Sequence, residues 1–429
     1  MKAVFFCVFI EKKGKVHLLS IFFIIFAIPK RYFTKQALTK MDRVYLCLAH
    51  MSGNEMKYIQ EAFDTTWVVP LGPNVNAFEE DLEAYVGQGK KVVALSSGTA
   101  AVHLAMVALG IGPGDEVICQ SFTFAASCNP TRYLGASPIF IDSEPDTWNM
   151  DPNLLEDAIK DRISKTGRKP KAIVLVYLYG MPAYIEEIMA IANRYEIPVI
   201  EDSAEAFGSR YKGQMTGTFG EYGIMSFNGN KMITTSGGGA LICPTLETKK
   251  KIMFYATQAR EDVPYYLHKE IGFNYRLSNV CAGIGRGQMT VVEDHVRHHQ
   301  RIADMYAEAF ADHEIIRFHG QPESYMEPNY WLSTITFETP ESNQPQAAGA
   351  DLVPCELVMK AMHALQQEGI ESRPLWRPMH TQPVYKDAPS YINGTSERMF
   401  RKGLCLPSGP CVTDANVEKI ISILKQVVK

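Results

Sequence analysis

An amine and a carboxylate stand 29 residues apart in this chain: Lys231 closes Ser226-Phe227-Asn228-Gly229-Asn230-Lys231, and Asp202 closes the apolar run Ile197-Pro198-Val199-Ile200-Glu201-Asp202. A lysine among small polar residues can form a Schiff base with a carbonyl compound, and an isolated upstream aspartate can pair with a protonated pyridine nitrogen. Together these are the requirements of pyridoxal phosphate (PLP) chemistry, and they point to an aminotransferase. Gly237-Gly238-Gly239 follow the lysine and let backbone pass close to a bulky group.

Ser96-Ser97-Gly98-Thr99-Ala100-Ala101 separates an apolar run from a helical pattern. Backbone N–H groups and the helix dipole converge at such a junction, where a phosphate can dock. The same letters also describe an ordinary helix cap on Ser97 or Thr99. Ser226 offers a further hydroxyl to a phosphate cradle. The stretch Glu201 to Ala206 falls where ligands of open α/β sheets bind, outside the carboxyl ends of strands, and one of its carboxylates is expected to face the site; the alternative is an exposed acidic cap on the next helix. His295 and His299 have the i, i+4 spacing of a metal pair, but Glu293, Asp294, Arg297 and Arg301 around them read as a solvated helix face, so no metal is expected. Gly110 to Gly114 and Gly283 to Gly287 imitate dinucleotide loops without the strand-to-helix context.

Seven short apolar runs position these residues, at 91–95, 115–120, 137–142, 171–178, 197–202, 222–227 and 239–244. Runs apolar on both faces with helix-length spacers predict a mostly parallel sheet covered by helices, an α/β domain. Helices are predicted at 100–109 and 185–195, stopped by Gly110 and Pro198. Beyond about residue 290 the pattern becomes helices at 291–310, 355–368 and 414–428, a strand at 332–338 and a polar loop at 340–350. The expected division is a large α/β domain over 41–290 and a smaller C-terminal α+β domain over 291–429. Residues 1–40 are expected to be a non-native or dispensable N-terminal extension. Their apolar run 16–29 follows Lys12, Lys13 and Lys15 like a signal peptide, yet it is shorter than the roughly 17–25 residues that span a bilayer and no A-x-A cleavage site follows it. Met41 opens a segment that reads as the start of a soluble enzyme.

With 46% hydrophobic residues in 429, the chain can bury a large core. A net charge of -4 and no long run of one sign give no footprint for nucleic acid, and no membrane partner is expected. Nine scattered cysteines read as the reduced thiols of a cytoplasmic protein, with Cys405 and Cys411 across a Pro/Gly turn as the one pair considered for a disulfide.

Taken together, Gly72-Pro73 with Phe78-Glu79, Ser97 to Ala101, Ser121-Phe122-Thr123-Phe124, Glu201 to Glu205, Ser226 to Lys231 and Gly272-Phe273-Asn274-Tyr275-Arg276-Leu277-Ser278 resemble, in family order, the DegT/DnrJ/EryC1/StrS family of PLP-dependent sugar aminotransferases. The resemblance runs from about Val44 to the C-terminus and implies a fold-type I PLP transferase, a homodimer with both sites at its interface. It implies that Lys231 carries the Schiff base and shuttles the proton, and that Asp202 pairs with the pyridinium nitrogen. Gly98, Thr99 and Ser226 would hold the phosphate, and Phe124 would stack on the ring. Asn274 would reach the phosphate from the second subunit. Against these two site roles, Phe124 and Asn274 each read equally well as core packing or a turn residue. Glu205 stands where many members carry glutamine near the cofactor's 3'-oxygen, and branches with glutamate, of perosamine and bacillosamine type, imply a 4-keto sugar. Glu371 to His380 resembles the segment of 4-aminotransferases acting on UDP-linked 4-keto-6-deoxy-N-acetylhexosamines, which brings in Arg373, Trp376 and His380 as substrate-binding residues. The implied reaction moves an amino group from L-glutamate to a nucleotide-linked keto sugar for surface-glycan or modified-sugar biosynthesis. The alternatives are amination at C3, a PLP-dependent sugar dehydratase, in which histidine replaces the lysine, and a non-catalytic regulatory protein on the same fold.

Overall fold

The computed structural model describes residues 8–12, 15–19, 43–343 and 351–429. The chain divides into two units, 1–42 and 43–429. In the first, Val8–Lys12 and Lys15–Leu19 pair as an antiparallel hairpin; the rest of the expected extension 1–40, and residues 344–350 of the polar loop, lie outside the described residues. Among the described residues no helix is long and apolar enough to cross a membrane.

All seven apolar runs become strands of one sheet. Its order is Ser390–Tyr391, Ser137–Ile141, Glu116–Gln120, Ala172–Val176, Val199–Asp202, Tyr222–Ser226, Gly239–Cys243, Lys91–Leu95. Among the described residues only Gly239–Cys243 runs against its neighbours in this sheet; the other pairings are parallel. Helices cover both faces, so a central strand such as Ala172–Val176 is buried at every residue and shows no alternation in sequence. The eighth strand, Ser390–Tyr391, is two residues long and comes from the C-terminal part of the chain. It is too short to leave a periodic signal.

A second, antiparallel sheet orders Ile316–Phe318, Ser333–Phe337, Gly403–Leu406 and Arg373–Pro374. The helices Val292–Phe310, Glu356–Gln367 and Asp414–Val427 close it through a core that includes Tyr306, Ile335, Val358, Leu404 and Ile420. The glycines of the 283–287 run lie on the helix Asn279–Met289. A Cβ at Gly285 would stand 2.6 Å from the Phe78 ring, and one at Gly287 would stand 2.7 Å from the Glu55 nitrogen, so the run serves close helix packing.

His295 and His299 correct the reading of a solvated helix face. Both sit on the buried side of Val292–Phe310, while Glu293, Asp294, Arg297 and Arg301 take the exposed side. His295 Nδ1 lies 3.0 Å from the Met232 carbonyl and His299 Nδ1 lies 3.1 Å from that of Tyr330. Each ring satisfies a buried loop carbonyl, a task that needs no charge and no metal. The eight cysteines among the described residues are free thiols, Cys405 and Cys411 included.

Burial pushes His299 down from its ordinary 6.5 to about 3. The unfolded chain therefore binds a proton below about pH 6.5 that the folded chain refuses, and stability falls as pH falls through that window. His299→Asn keeps a donor for the Tyr330 carbonyl and removes the titration. Urea denaturation at pH 7 and pH 5 is expected to show the variant losing about 2 kcal/mol less than the wild type; equal losses would mean that His299 does not carry the acid sensitivity.

Candidate active site

Asp202 and Glu201 are adjacent in a strand, so they point to opposite faces. Glu201 turns inward to structure: its carboxylate accepts hydrogen bonds from the Tyr177 hydroxyl, the Gly220 N–H and, at 2.8 Å, the Gly217 N–H. Asp202 faces a cleft of about 350 Å³ at the carboxyl ends of the parallel strands. Its Oδ2 accepts from the Ser127 hydroxyl at 2.6 Å and its Oδ1 from the Ala204 N–H at 3.1 Å. Burial raises its pKa, while the Ser127 and Ala204 bonds and the charge of Lys231 pull the other way.

Lys231 lies in the irregular segment that joins Tyr222–Ser226 to its antiparallel neighbour Gly239–Cys243. Buried Met232 and Ile233 anchor that segment. Trp331 Nε1 donates to the Asn230 carbonyl at 2.6 Å, and the Lys231 N–H to the Asn228 carbonyl at 3.0 Å. With its backbone so fixed, the side chain reaches into the cleft. Its Nζ stands 3.7 Å from Glu205 Oε1 and 3.8 Å from the centroid of the Trp331 ring. Glu205 Oε2 accepts the Tyr179 N–H at 2.7 Å. Burial raises the Glu205 pKa, chiefly against the charge of Lys231. An ammonium between a carboxylate and an aromatic face is stabilised by both.

The cleft is also lined by the N-terminus of the helix Gly98–Ala108. Ser97 caps it, its hydroxyl accepting the Ala100 N–H at 3.0 Å, and Gly98, Thr99 and Ser226 line the cleft beside it. The capping and anion-binding readings are compatible, because a cap satisfies one donor and the first turn has others free. A Cβ at Gly98 would come within 3.2 Å of that of Ser226, and one at Gly239 would collide with the Gly98 backbone. Glycine at both positions lets the start of the helix pack closely against Tyr222–Ser226 and Gly239–Cys243.

Gly98, Thr99, Phe124, Asp202, Glu205, Ser226, Lys231 and Trp376 thus share one cleft. Asn274 is exposed and lies outside it, bridged to Thr257. Arg373 is also exposed and outside, its guanidinium 2.9 Å from Glu371. His380 stands behind the cleft wall, bound to Ser121 and Glu397 rather than lining the space. Reading the sequence missed Trp331 and Ser127. Asn329 was missed too: its Oδ1 accepts the Trp331 N–H at 2.8 Å, and its Nδ2 donates to the Glu205 and Phe207 carbonyls at 3.0 Å each. No spacing rule links residue 331 to residue 231; only the fold does.

The residues fit PLP. A helix N-terminus with two hydroxyls suits a phosphate, a buried carboxylate suits a protonated ring nitrogen, and an amine opens into the same cleft. The model of the DegT/DnrJ/EryC1/StrS aminotransferase family matches residues 49–425. The chain is similar to EpsN of Bacillus subtilis, with 45% identity over 386 residues that cover 89% of this chain and 95% of that protein. It is 34% identical to the GDP-perosamine synthase of Escherichia coli O157:H7 over 88% of this chain and 95% of that one. Among solved structures, a DegT DnrJ EryC1 StrS aminotransferase from Brucella abortus superposes with a TM-score of 0.79 at 30% identity, covering 87% of this chain and 95% of the other. The chain belongs to the DegT/DnrJ/EryC1/StrS aminotransferase family and is a PLP-dependent aminotransferase.

Proposed function

We propose that the enzyme moves the amino group of L-glutamate to a UDP-linked 4-keto-6-deoxy sugar, in the cytoplasm, for surface-glycan or modified-sugar biosynthesis. The observation that carries the reading is the convergence of Lys231, Asp202 and Glu205 in one cleft whose outer walls are the aromatic rings of Phe124 and Trp376. Glu205 supports the keto position, and the resemblance of the 371–380 segment supports the nucleotide. A homodimer completes the reading, with the exposed Asn274 of each copy serving the cleft of the other.

When bound, PLP supplies the electron sink that makes the donor's α-proton removable. Lys231 Nζ takes that proton, and in the second half gives one to the former carbonyl carbon of the sugar. Between transfers, the Glu205 carboxylate and the Trp331 face hold the ammonium. Asp202, tethered by Ser127 and Ala204, fixes a negative charge at the inner wall. Burial of both carboxylates keeps water from screening these charges.

A GDP-linked sugar is the second reading, favoured by the likeness to GDP-perosamine synthase. The test is release of 2-oxoglutarate from L-glutamate by the PLP-loaded full chain given UDP- or GDP-linked 4-keto-6-deoxy sugars or their 3-keto isomers. The expected result is parallel double-reciprocal lines and a kcat/KM for the UDP-linked 4-keto sugar at least about tenfold above the others. Preference for GDP selects the second reading, and turnover of the 3-keto isomers alone overturns both. Intersecting lines would reject the two-half mechanism.

A further inference from the structure

The two aromatic walls of the cleft come from distant parts of the chain. Phe124 follows Ser121, just past the strand Glu116–Gln120, and Trp376 precedes His380 in the segment after Arg373–Pro374. Their ring centroids are 5.6 Å apart, and Tyr179 stacks on Trp376 with centroids 5.9 Å apart. The Trp376 N–H donates to the Tyr179 hydroxyl at 2.8 Å, which pins the start of its segment. The end is pinned at Ser121. Its carbonyl accepts the Met379 N–H at 2.8 Å and its hydroxyl accepts the His380 N–H at 3.2 Å.

The His380 ring completes the connection, with Nδ1 at 2.6 Å from the hydroxyl of fully buried Ser121 and Nε2 at 3.1 Å from Glu397 Oε1. A carboxylate only accepts, so Nε2 carries the proton toward Glu397, and Nδ1 of the neutral ring accepts from the Ser121 O–H. Glu397 is itself held, because it rides on the helix Thr395–Lys402. The N-terminal end of that helix is bound by Asp142, which accepts from the Asn393, Gly394 and Ser396 N–H groups at 3.1, 2.8 and 3.1 Å. On the other side, Thr123 and Ser127 continue the chain of hydroxyls from the Ser121 turn to Asp202.

We propose that Ser121, His380 and Glu397 form a clasp that sets the gap between Phe124 and Trp376, making His380 a positioning residue for the keto sugar that acts without touching it. The inference rests on the reading that the sugar enters between these walls. Asparagine at 380 keeps an acceptor near the place of Nδ1, and glutamine keeps a donor near the place of Nε2, so the two variants separate the Ser121 half of the clasp from the Glu397 half.

The experiment measures KM for the sugar and for L-glutamate in PLP-loaded full-length wild type, H380Q, H380N and S121A, together with acrylamide quenching of tryptophan fluorescence, with W376F identifying the signal of Trp376. In H380Q and S121A the sugar KM is expected to rise about tenfold with the glutamate KM within about twofold, and in H380N to return to within about threefold of the wild type. Trp376 quenching is expected to increase in H380Q and to increase less in H380N, which keeps the Ser121 half of the clasp and loses the Glu397 half. Unchanged sugar KM in H380Q, or equal rises in both KM values, overturns the clasp. If wild type turns over no keto sugar, the proposed function falls instead, and the quenching alone decides: equal quenching in wild type and H380Q rejects the clasp, and the expected increase upholds its hold on Trp376.

Discussion

Lys231→Ala is expected to lower turnover by about 10⁴-fold while leaving the protein folded, because in the proposed mechanism the side chain supplies the nucleophile and proton carrier but not the shape of its segment. That shape is held by backbone and neighbours: the Lys231 N–H on Asn228, Trp331 on the Asn230 carbonyl and His295 on the Met232 carbonyl. The loss is read as turnover with L-glutamate and a keto sugar, and as absence of the visible absorbance that wild type retains after PLP loading and gel filtration. Removing the amine also removes the charge that holds down the pKa of Glu205, so the already raised carboxyl moves further up. Lys231→Arg separates charge from chemistry. A guanidinium keeps a cation near Glu205 and Trp331 but stays protonated throughout the accessible pH range. The arginine variant is therefore expected to match wild type in urea denaturation and Lys231→Ala in inactivity. Turnover above about 1% of wild type in either variant would remove Lys231 from the role assigned to it.

The sheet was legible because its strands are buried on both faces and stand out as apolar runs between helix-length spacers. Ser390–Tyr391 was not, since two residues carry no period and their pairing depends on where the C-terminal part of the chain folds back. Within the site, the residues near glycine-rich or strand-end landmarks were visible: Gly98, Thr99, Asp202, Ser226 and Lys231. Trp331, Asn329 and Ser127 were not. Their partners are Lys231, Glu205 and Asp202, all far away in sequence. The histidines at 295 and 299 show the opposite failure. Charged neighbours suggested an exposed face, but a helix shows different residues on different sides, and the charges and the imidazoles divide between them. His380 stands in a segment singled out by resemblance, and its contacts with Ser121 and Glu397 come from tertiary pairing that no local pattern encodes.

Asp202→Asn is expected to lower kcat about 10³-fold with little loss of stability, because the amide keeps the size of the side chain and most of its hydrogen bonds but not its charge. The Ala204 N–H can still donate to the side-chain oxygen, and the Ser127 hydroxyl can turn from donor to acceptor of the new NH₂ group. What is lost is the fixed negative charge at the inner wall, which would keep a bound ring nitrogen protonated. A pH dependence distinguishes this from a merely steric effect. Burial is the largest influence on Asp202 and raises its pKa, so in the cofactor-free protein the carboxyl takes up its proton above the value near 3.9 of an ordinary aspartate. A protonated carboxyl cannot pair with a cation. PLP affinity of wild type is therefore expected to weaken as pH falls toward that raised value, whereas the asparagine variant, with no proton to gain there, is expected to bind more weakly at neutral pH and to lack that acid-side loss. Fluorescence titration of PLP from neutral pH down toward the ordinary aspartate value of about 3.9 checks both arms. If the variant shows the same acid-side loss as wild type, the group that titrates is not Asp202, and the pairing assigned to it is wrong.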